Sequence, residues 1–322
     1  RDVMVSSQTG SGKTVAYLIP LVALTYQLMQ SQGLRNDICE PMILVVAPTH
    51  ELVNQIYNDV LKMTFKAPEP MTCYGCFGSV NHRFRPGVTI LVSTPGRLLG
   101  GLQNKSLSLQ NVRFLVLDEG DRMLGIGMGS TIRAVINACS HAERRLLLFS
   151  ATIPQPVIDV VHEFIRGELF VKIGRINSLP SKLDQYIVEL DEPRKVPFLQ
   201  NLVWATEVNA AQMLVFVNTS AKVRSVARAL RERCHTSVCE LVATMDFDER
   251  QRSVGDFKRL VKLVMVATDI AARGLDFPHL ELVINYDIPF TVDDYIHRVG
   301  RTARAGRHGA AYSFYNNRSY RM

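Results

Sequence analysis

The chain has 322 residues, which is long for a single hydrophobic core, so the sequence predicts two domains of ordinary size. Apolar residues make up 47% and charged residues 21% of the chain, and no apolar run reaches the roughly 18 residues needed to span a bilayer. These values argue against a membrane protein and favour an intracellular one, in the cytoplasm, the nucleus or both, whose net charge of +7 suits an anionic partner.

Short apolar, β-branched runs recur along the chain and lack polar alternation. They are VMVS, MILVVA, TILVS, FLVL and LLLF in the first half, and MLVFV, LVMVA and LELVINY in the second. Such runs are typical of strands in parallel sheets that are covered on both faces. Helical patterns lie between them, the clearest at residues 220–234, for which Ser220 is the predicted N-cap.

Strand and helix alternate twice over, which predicts an α/β protein with two domains, each a mostly parallel sheet flanked by helices. The stretch GRINSLPSK carries Gly, Asn, Ser and Pro between periodic segments, so it is the best candidate for the linker between the two domains. We therefore expect a first domain at 1–174, a linker at 175–181 and a second domain at 182–322.

Polar residues follow nearly every buried run at once. They are SQTGSGKT, PTHE, TPGR, DEGD and SAT in the first half, and NTS and TD in the second. Ligands of open parallel sheets bind at the carboxyl ends of the strands. Seven such junctions predict a functional surface along one edge of both sheets.

The stretch SSQTGSGKT places a glycine-rich turn between a strand and a helix. Gly10 and Gly12 permit close backbone approach to phosphate, Lys13 can reach the β- and γ-phosphates, and Thr14 can hold Mg²⁺. The strict template GxxxxGK[ST] has Gly where this chain has Ser7. The alternative interpretation is a glycine-rich loop with an incidental lysine.

Three carboxylates within four residues end the apolar run FLVL. Asp118 suits the metal ion that accompanies a bound nucleotide, and Glu119 suits a general base that orients the attacking water. The alternative is a solvated acidic turn. Acids that directly follow an apolar strand, in a chain that also carries GSGKT, favour the first hypothesis.

The stretch YIHRVGRTARAGR carries Arg298, Arg301, Arg304 and Arg307 at a spacing of three. One interpretation is a basic loop that binds phosphate or stays solvated. The other is that some of these residues are arginine fingers, which neutralise charge on the transferred phosphoryl group. Because they lie in the second half, they would complete the site only when the two domains close.

These motifs, in this order and over nearly the whole chain, resemble those of a DEAD-box RNA helicase of superfamily 2. SQTGSGKT resembles motif I, PTHEL motif Ia, TPGR motif Ib, DEGD motif II and SAT motif III. LVFVNT is similar to motif IV, ATDIAARGLD to motif V and HRVGRTARAG to motif VI. Together they are far more specific than any one of them alone.

The resemblance implies two tandem RecA-like domains that use ATP and Mg²⁺ and bind RNA. It implies catalytic roles for Lys13, Asp118, Glu119, Arg301 and Arg304, and metal binding by Thr14 and Asp118. It implies nucleotide binding by Ser7, Gln8, Thr9, Gly10, Ser11, Gly12, Lys13, Thr14 and Asp276. It implies coupling of hydrolysis to strand separation by Asp121, Ser150, Thr152 and His297. It implies contacts to the RNA backbone by Pro48, Thr49, Gly75, Thr94, Gly96, Arg97, Asn218, Thr219 and Thr268.

By this resemblance the protein is an RNA-dependent ATPase that locally unwinds short RNA duplexes or remodels RNA–protein complexes. Its RNA contacts are to single strands or short duplexes without sequence specificity, it acts as a monomer, and protein cofactors are further candidate partners. The alternative is an ATP-dependent RNA clamp or scaffold with weakened turnover. A DNA-translocating enzyme of superfamily 2 is disfavoured by the combination of TPGR, SAT and HRVGRTARAG.

The chain departs from the family pattern at several positions. Gly120 replaces the alanine of motif II, which removes one methyl group, leaves all three acids and predicts a modest effect. Ala303 replaces a glycine of motif VI, His50 an arginine of motif Ia, and Cys76 the second glycine of a pair. The resemblance is weakest at residues 242–247, where a His-Gly-Asp turn and a following glutamine are absent.

Overall fold

A computed structural model provides the fold of the chain. It describes residues 1–7, 11–31, 38–65, 67, 71–76, 84–125, 127–167, 169–173, 179–207, 211–233, 237–272, 275–304 and 306–316. The chain divides into two compact units. The first unit consists of Arg1–Ser7 and Gly12–Ile176, and the second consists mainly of Asn177–Met322.

The first unit contains a seven-stranded parallel sheet. Its strands are β1 (Val3–Ser7), β2 (Ile43–Val46), β3 (Cys73–Cys76), β4 (Ile90–Ser93), β5 (Phe114–Asp118), β6 (Arg145–Ser150) and β7 (Leu169–Ile173). They lie in the order β3-β4-β2-β5-β6-β1-β7, and every neighbouring pair is parallel. The helices are α1 (Lys13–Ser31), α2 (His50–Thr64), α3 (Pro95–Gln103), α4 (Gly120–Gly125), α5 (Gly129–Ala138) and α6 (Gln155–Phe164).

Both faces of this sheet are covered, which explains the unbroken apolar runs. Leu44 and Val46 pack into the core on one face, while Ile43 and Val45 pack into the core on the other. All four side chains are fully buried. Burying an aliphatic side chain of this size stabilises a fold by about 1.5–3 kcal/mol, so a polar residue at any of these positions would be costly.

The second unit repeats this architecture with six parallel strands. They are β8 (Leu183–Glu189), β9 (Gln212–Phe216), β10 (Val238–Leu241), β11 (Val264–Ala267), β12 (Leu280–Asn285) and β13 (Gly309–Tyr315). Their order is β10-β11-β9-β12-β13-β8. The helices are α7 (Glu192–Glu207), α8 (Ser220–Arg233), α9 (Phe247–Lys258), α10 (Asp269–Ala272) and α11 (Val292–Val299). Alternate residues of β9 again pack into two cores, Met213 and Val215 into one, Leu214 and Phe216 into the other.

The structure confirms the predicted fold class, two parallel sheets flanked by helices. The predicted helix at 220–234 is α8, but its N-cap differs, because the Thr219 hydroxyl accepts from the Lys222 amide at 3.3 Å and Ser220 is already helical. The predicted linker lies partly outside the described residues. Within the described residues, no helix is long and apolar enough to cross a membrane.

Candidate functional site

The carboxyl ends of β1, β5 and β6 are neighbours in the first sheet and carry the predicted nucleotide residues. Ser7 ends β1, and Lys13 is the first residue of α1; the Lys13 Nζ donates to the Ser7 carbonyl at 2.9 Å. Gly12 has φ +85° and open space where a side chain would begin, so backbone can approach a ligand closely. Gln8, Thr9 and Gly10 lie outside the described residues, and Ser11 is exposed beside them.

Asp118 ends β5 as a buried carboxylate, with only 4% of its surface exposed. It accepts hydrogen bonds from the Tyr17 hydroxyl at 3.0 Å and from the Glu119 amide at 3.0 Å. Burial raises its pKa to about 6, and the positive charge of Lys13 opposes that rise. Tyr17 also bonds to the Thr14 side chain, so one buried hydroxyl joins the two predicted metal-binding residues.

This donor set fits Mg²⁺. The ion prefers hard oxygen ligands, and in phosphate-binding sites the protein supplies only one or two of them, beside the substrate phosphates. A desolvated carboxylate gains more from a nearby cation than a solvated one, because little water competes for its charge. Asp118 and the Thr14 hydroxyl are oxygen donors of this kind.

Glu119 has a left-handed backbone, with φ +55°. An L side chain there costs roughly 1–2 kcal/mol, and such residues cluster at functional sites where surrounding contacts hold them. The Glu119 carbonyl accepts from the amides of Arg122 (3.1 Å) and Met123 (3.3 Å), which starts α4 directly after the turn. The chain thus passes from strand β5 to helix α4 at the predicted general base.

Asp121, Ser150 and Thr152 form one buried hydrogen-bonded cluster. The Asp121 amide donates to the Ser150 Oγ at 3.2 Å, and the Ser150 hydroxyl donates to the Thr152 carbonyl at 2.6 Å. The Thr152 amide and hydroxyl both donate to the Asp121 Oδ2, at 2.9 and 2.7 Å. Three of the four predicted coupling residues therefore touch one another, and they join the end of β6 to the start of α4.

The residues predicted to contact RNA in the first unit lie at the other half of the same sheet edge, in β3 and in the segments that follow β2 and β4. Thr49 caps α2 by accepting from the Leu52 amide at 3.3 Å, and Thr94 precedes α3. Arg97, in the first turn of α3, hydrogen-bonds the buried thiol of Cys76. The remaining residues of this group are Pro48 after β2, Gly75 in β3 and Gly96 in α3.

The second unit places its predicted RNA residues at the carboxyl ends of β9 and β11, which are adjacent strands. Asn218 and Thr219 follow β9, and Thr268 follows β11. Asn218 is held on both sides: its amide donates to Asp287 at 3.0 Å, and its side-chain Nδ2 donates to the Ile288 carbonyl at 3.0 Å. These contacts fix the turn that presents Thr219.

Arg298 organises this region and was not predicted to do so. Its side chain is fully buried, and two of its nitrogens, Nε and Nη2, each bond an oxygen of Asp269 at 2.6 Å. Nη2 also donates to the Asn218 Oδ1 at 2.8 Å, and Nη1 to the Asp287 carbonyl at 2.6 Å. Bidentate, charge-assisted pairs are the strong hydrogen bonds of proteins. The regular spacing of the arginines gave no sign that this one faces inward.

Arg301 and Arg304 follow on the same segment. Arg301 is 2% exposed and donates to the carbonyls of Leu275 (2.8 Å) and His297 (3.1 Å). Arg304 pairs with Asp276 at 2.6 Å, so a predicted catalytic residue and a predicted nucleotide-binding residue contact each other. His297 is buried one turn before Arg301.

Two family departures have a structural counterpart in the second unit. Val242 is 1% exposed and packs into the core, whereas Ala243 and Thr244 are exposed and Phe247 opens α9. The turn after β10 therefore offers less polar surface to a ligand than a His-Gly-Asp turn would. Ala303 has φ +54°, a conformation that favours the glycine it replaces.

Comparison with protein families matches both units. Residues 1–160 match the family described as DEAD/DEAH box helicase, and residues 194–306 match the family described as helicase conserved C-terminal domain. The two matches together cover most of the chain.

Curated relatives include a probable ATP-dependent RNA helicase DDX4 from Pelophylax lessonae, 37% identical over 99% of this chain and 44% of the relative. ATP-dependent RNA helicase DDX4 from Mus musculus is 35% identical over 99% of this chain and 46% of the relative. The chain thus spans less than half the length of these relatives.

Solved structures show the same fold. The S. cerevisiae Dbp5 L327V variant bound to RNA and ADP BeF3 aligns with a TM-score of 0.83 and 27% identity, over 99% of this chain and 80% of that one. Mss116p bound to ssRNA and AMP-PNP aligns with a TM-score of 0.83 and 25% identity, over 98% of this chain and 66% of that one.

Proposed function

Because the chain belongs to the DEAD/DEAH box helicase family, we propose that it is an RNA-dependent ATPase that locally unwinds short RNA duplexes or remodels RNA–protein complexes. The observation that carries this proposal is the edge of the first sheet. There Lys13, Asp118 and Glu119 lie at neighbouring strand ends, directly beside the hydrogen-bonded cluster of Asp121 and Thr152. This arrangement supports nucleotide hydrolysis that is coupled to a conformational change of the neighbouring segment after β6.

We propose that Lys13 binds the β- and γ-phosphates of ATP together with the loop before it. Mg²⁺, held by Asp118 and Thr14, would neutralise phosphate charge. Glu119 orients the attacking water and accepts its proton. Arg301 and Arg304 stabilise the negative charge that develops on the transferred phosphoryl group.

Coupling to RNA is assigned to the cluster of Asp121, Ser150 and Thr152 in the first unit, and a separate coupling role is proposed for His297 of the second unit. Asp121 follows the general base Glu119 by two residues, so a shift of the acidic turn pulls on the hydrogen bonds that Thr152 donates. A buried cluster of this kind switches between discrete arrangements rather than deforming smoothly. Hydrolysis can thereby change the position of the segment after β6.

We propose that RNA is held through its phosphates and sugars by the residues at the ends of β2, β3 and β4 and of β9 and β11. Such contacts carry little sequence information, and the 2′-hydroxyl distinguishes RNA from DNA. The proposal includes a monomeric enzyme acting inside the cell, in the cytoplasm or the nucleus, with protein cofactors as further partners. It also takes 1–174 and 182–322 as the two RecA-like domains, joined by 175–181.

A second candidate function is an ATP-dependent RNA clamp or scaffold with weakened turnover. One observation favours it: Val242 packs into the core where the family pattern has a polar turn. A weaker grip by the second unit would lower the coupling of hydrolysis to strand separation while leaving nucleotide binding intact.

Strand displacement separates the two candidates. A short labelled RNA duplex with a single-stranded overhang is incubated with the protein and ATP, and an identical DNA duplex serves as control. The helicase proposal expects ATP-dependent release of the RNA strand only. RNA retained in an ATP-dependent complex without strand release supports the clamp, and equal release of both duplexes contradicts RNA specificity.

A further inference from the structure

Gly120 occupies a tight position inside the acidic turn. It is the first residue of α4, is buried, and lies between Glu119 and Asp121. A methyl group on its Cα would overlap the Cδ1 atom of Leu148. At the other end of the same helix, a methyl group on Gly125 would meet no atom within 4 Å. The absence of a side chain therefore matters at one end of α4 and not at the other.

Leu148 cannot easily move away to make room. It is fully buried in β6, and it packs in the same core cluster as Leu117, Met123 and Leu124. Its backbone is paired in parallel register with Leu117 of β5, one residue before Asp118. Protein interiors are packed to crystalline density, so a side chain held on several sides transmits a push instead of absorbing it.

The contact between Gly120 and Leu148 lies between two functional groups of residues. On one side, Glu119 adopts its left-handed backbone immediately before Gly120. On the other, Ser150 follows Leu148 by two residues and accepts from the Asp121 amide at 3.2 Å. The separation of α4 from β6 at this point therefore sets the length of that hydrogen bond and the orientation of the turn.

We propose that Gly120 and Leu148 are a matched pair, in which Leu148 is a positioning residue for the reaction. Leu148 fills the space beside the acidic turn, and Gly120 lets α4 approach β6 closely enough for Asp121 to engage Ser150. This inference rests on the proposed ATPase function. It revises the expectation drawn from the sequence, because an alanine at position 120 of this chain has a large harmful effect instead of a modest one.

The test compares Gly120→Ala, Leu148→Val, the double variant and Gly125→Ala as the matched control. For each protein, kcat and KM for ATP are measured with saturating single-stranded RNA, and the melting temperature is recorded. Gly120→Ala is expected to lower kcat about ten-fold or more, since small misplacements of catalytic groups are costly. KM changes little, because Lys13 and its loop are untouched. Overpacking is expected to lower the melting temperature by about 2–12 °C.

Leu148→Val shortens the side chain that the new methyl group would strike. The double variant is therefore expected to recover most of the lost kcat, although each single change lowers the melting temperature. Gly125→Ala is expected to keep the kcat of the parent protein. A Gly120→Ala protein with kcat within two-fold of the parent overturns the proposal, and so does a double variant that is as slow as Gly120→Ala.

The same four proteins separate failure of this inference from failure of the proposed function. If the folded parent protein shows no RNA-stimulated turnover, the proposed function fails. The melting temperatures of the variants then test whether Gly120 and Leu148 are a matched pair. A double variant that melts higher than Gly120→Ala alone supports the matched pair, since the second change relieves the first. Additive losses overturn it. If Gly120→Ala does not fold, recovery of a folded double variant tests the same contact.

Discussion

Replacing Arg298 with methionine removes the side chain that joins three segments of the second unit. Methionine fills a similar volume but leaves the Asp269 carboxylate without its guanidinium partner, and Asn218 without the donor to its Oδ1. Breaking a buried ion pair by removing one partner costs about 3–5 kcal/mol. Because the Asp269 side chain is 17% exposed, water offsets part of this, and we expect a value near the lower limit.

A loss of about 3 kcal/mol corresponds to a fall of about 6–12 °C in the melting temperature of a unit of this size. Affinity for single-stranded RNA is expected to fall as well, since the turn that presents Thr219 loses a support. The matched control is Arg231→Met, because the pair of Arg231 with Glu240 is also short, at 2.7 Å, but its arginine is 45% exposed. Exposed pairs contribute about 0–1 kcal/mol.

The assay is thermal unfolding of the parent protein and both variants, followed by titration with fluorescent single-stranded RNA. Arg298→Met should melt well below Arg231→Met and bind RNA more weakly. Equal melting temperatures for the two variants would show that the buried contacts of Arg298 stabilise the fold no more than the exposed pair of Arg231 does. Unchanged RNA affinity in a destabilised Arg298→Met protein would show that the hydrogen bonds of Arg298 do not contribute to RNA binding.

Three further outcomes are expected. Thr152→Val removes the hydroxyl that donates to Asp121 and should lower the unfolding free energy by about 1–2 kcal/mol. The number of strands separated per ATP hydrolysed should also fall. If that number is unchanged, the coupling role is refuted. Ala303→Gly relieves a left-handed backbone and should raise the unfolding free energy by about 1 kcal/mol, measured by denaturant titration; a loss of stability would contradict this. Burial raises the pKa of Asp118 from 3.8 to about 6, so ionising this side chain destabilises the fold above that pH. The Asp118→Asn protein should therefore exceed the parent in unfolding free energy by about 3 kcal/mol at pH 8, and the excess should vanish as pH falls through 6 to below 4. An excess that does not change with pH would contradict the raised pKa.

The central strands could be predicted from the sequence because burial on both faces demands continuous apolar runs. FLVL and LLLF became β5 and β6, and the acids and SAT follow them at the edge where a parallel sheet exposes its carboxyl ends. Edge strands escaped prediction. β3 is CYGC, which lacks the β-branched residues of the predicted runs, and β8 is LDQYIVE, which is mostly exposed and contains Asp, Gln and Glu.

Side-chain contacts between distant segments could not be predicted either. The Tyr17 hydroxyl meets Asp118 across 101 positions of sequence, and Arg298 reaches Asn218 across 80. Neither pair leaves a local pattern, because what brings them together is the strand order of each sheet. The overlap between Leu148 and a side chain at Gly120 depends on packing to a fraction of an ångström, which residue type alone does not reveal.

The most direct test of the central claim is steady-state ATP hydrolysis by this chain, measured with and without single-stranded RNA and with DNA of the same sequence in parallel. Two variants serve as controls. Lys13→Ala removes the side chain proposed to bind phosphate, and Glu119→Gln removes the proposed general base. The account predicts that RNA raises the rate, that DNA does not, and that both variants abolish the stimulated rate. A folded protein that binds ATP but hydrolyses none with RNA present, or a Glu119→Gln protein as active as the parent, would contradict it.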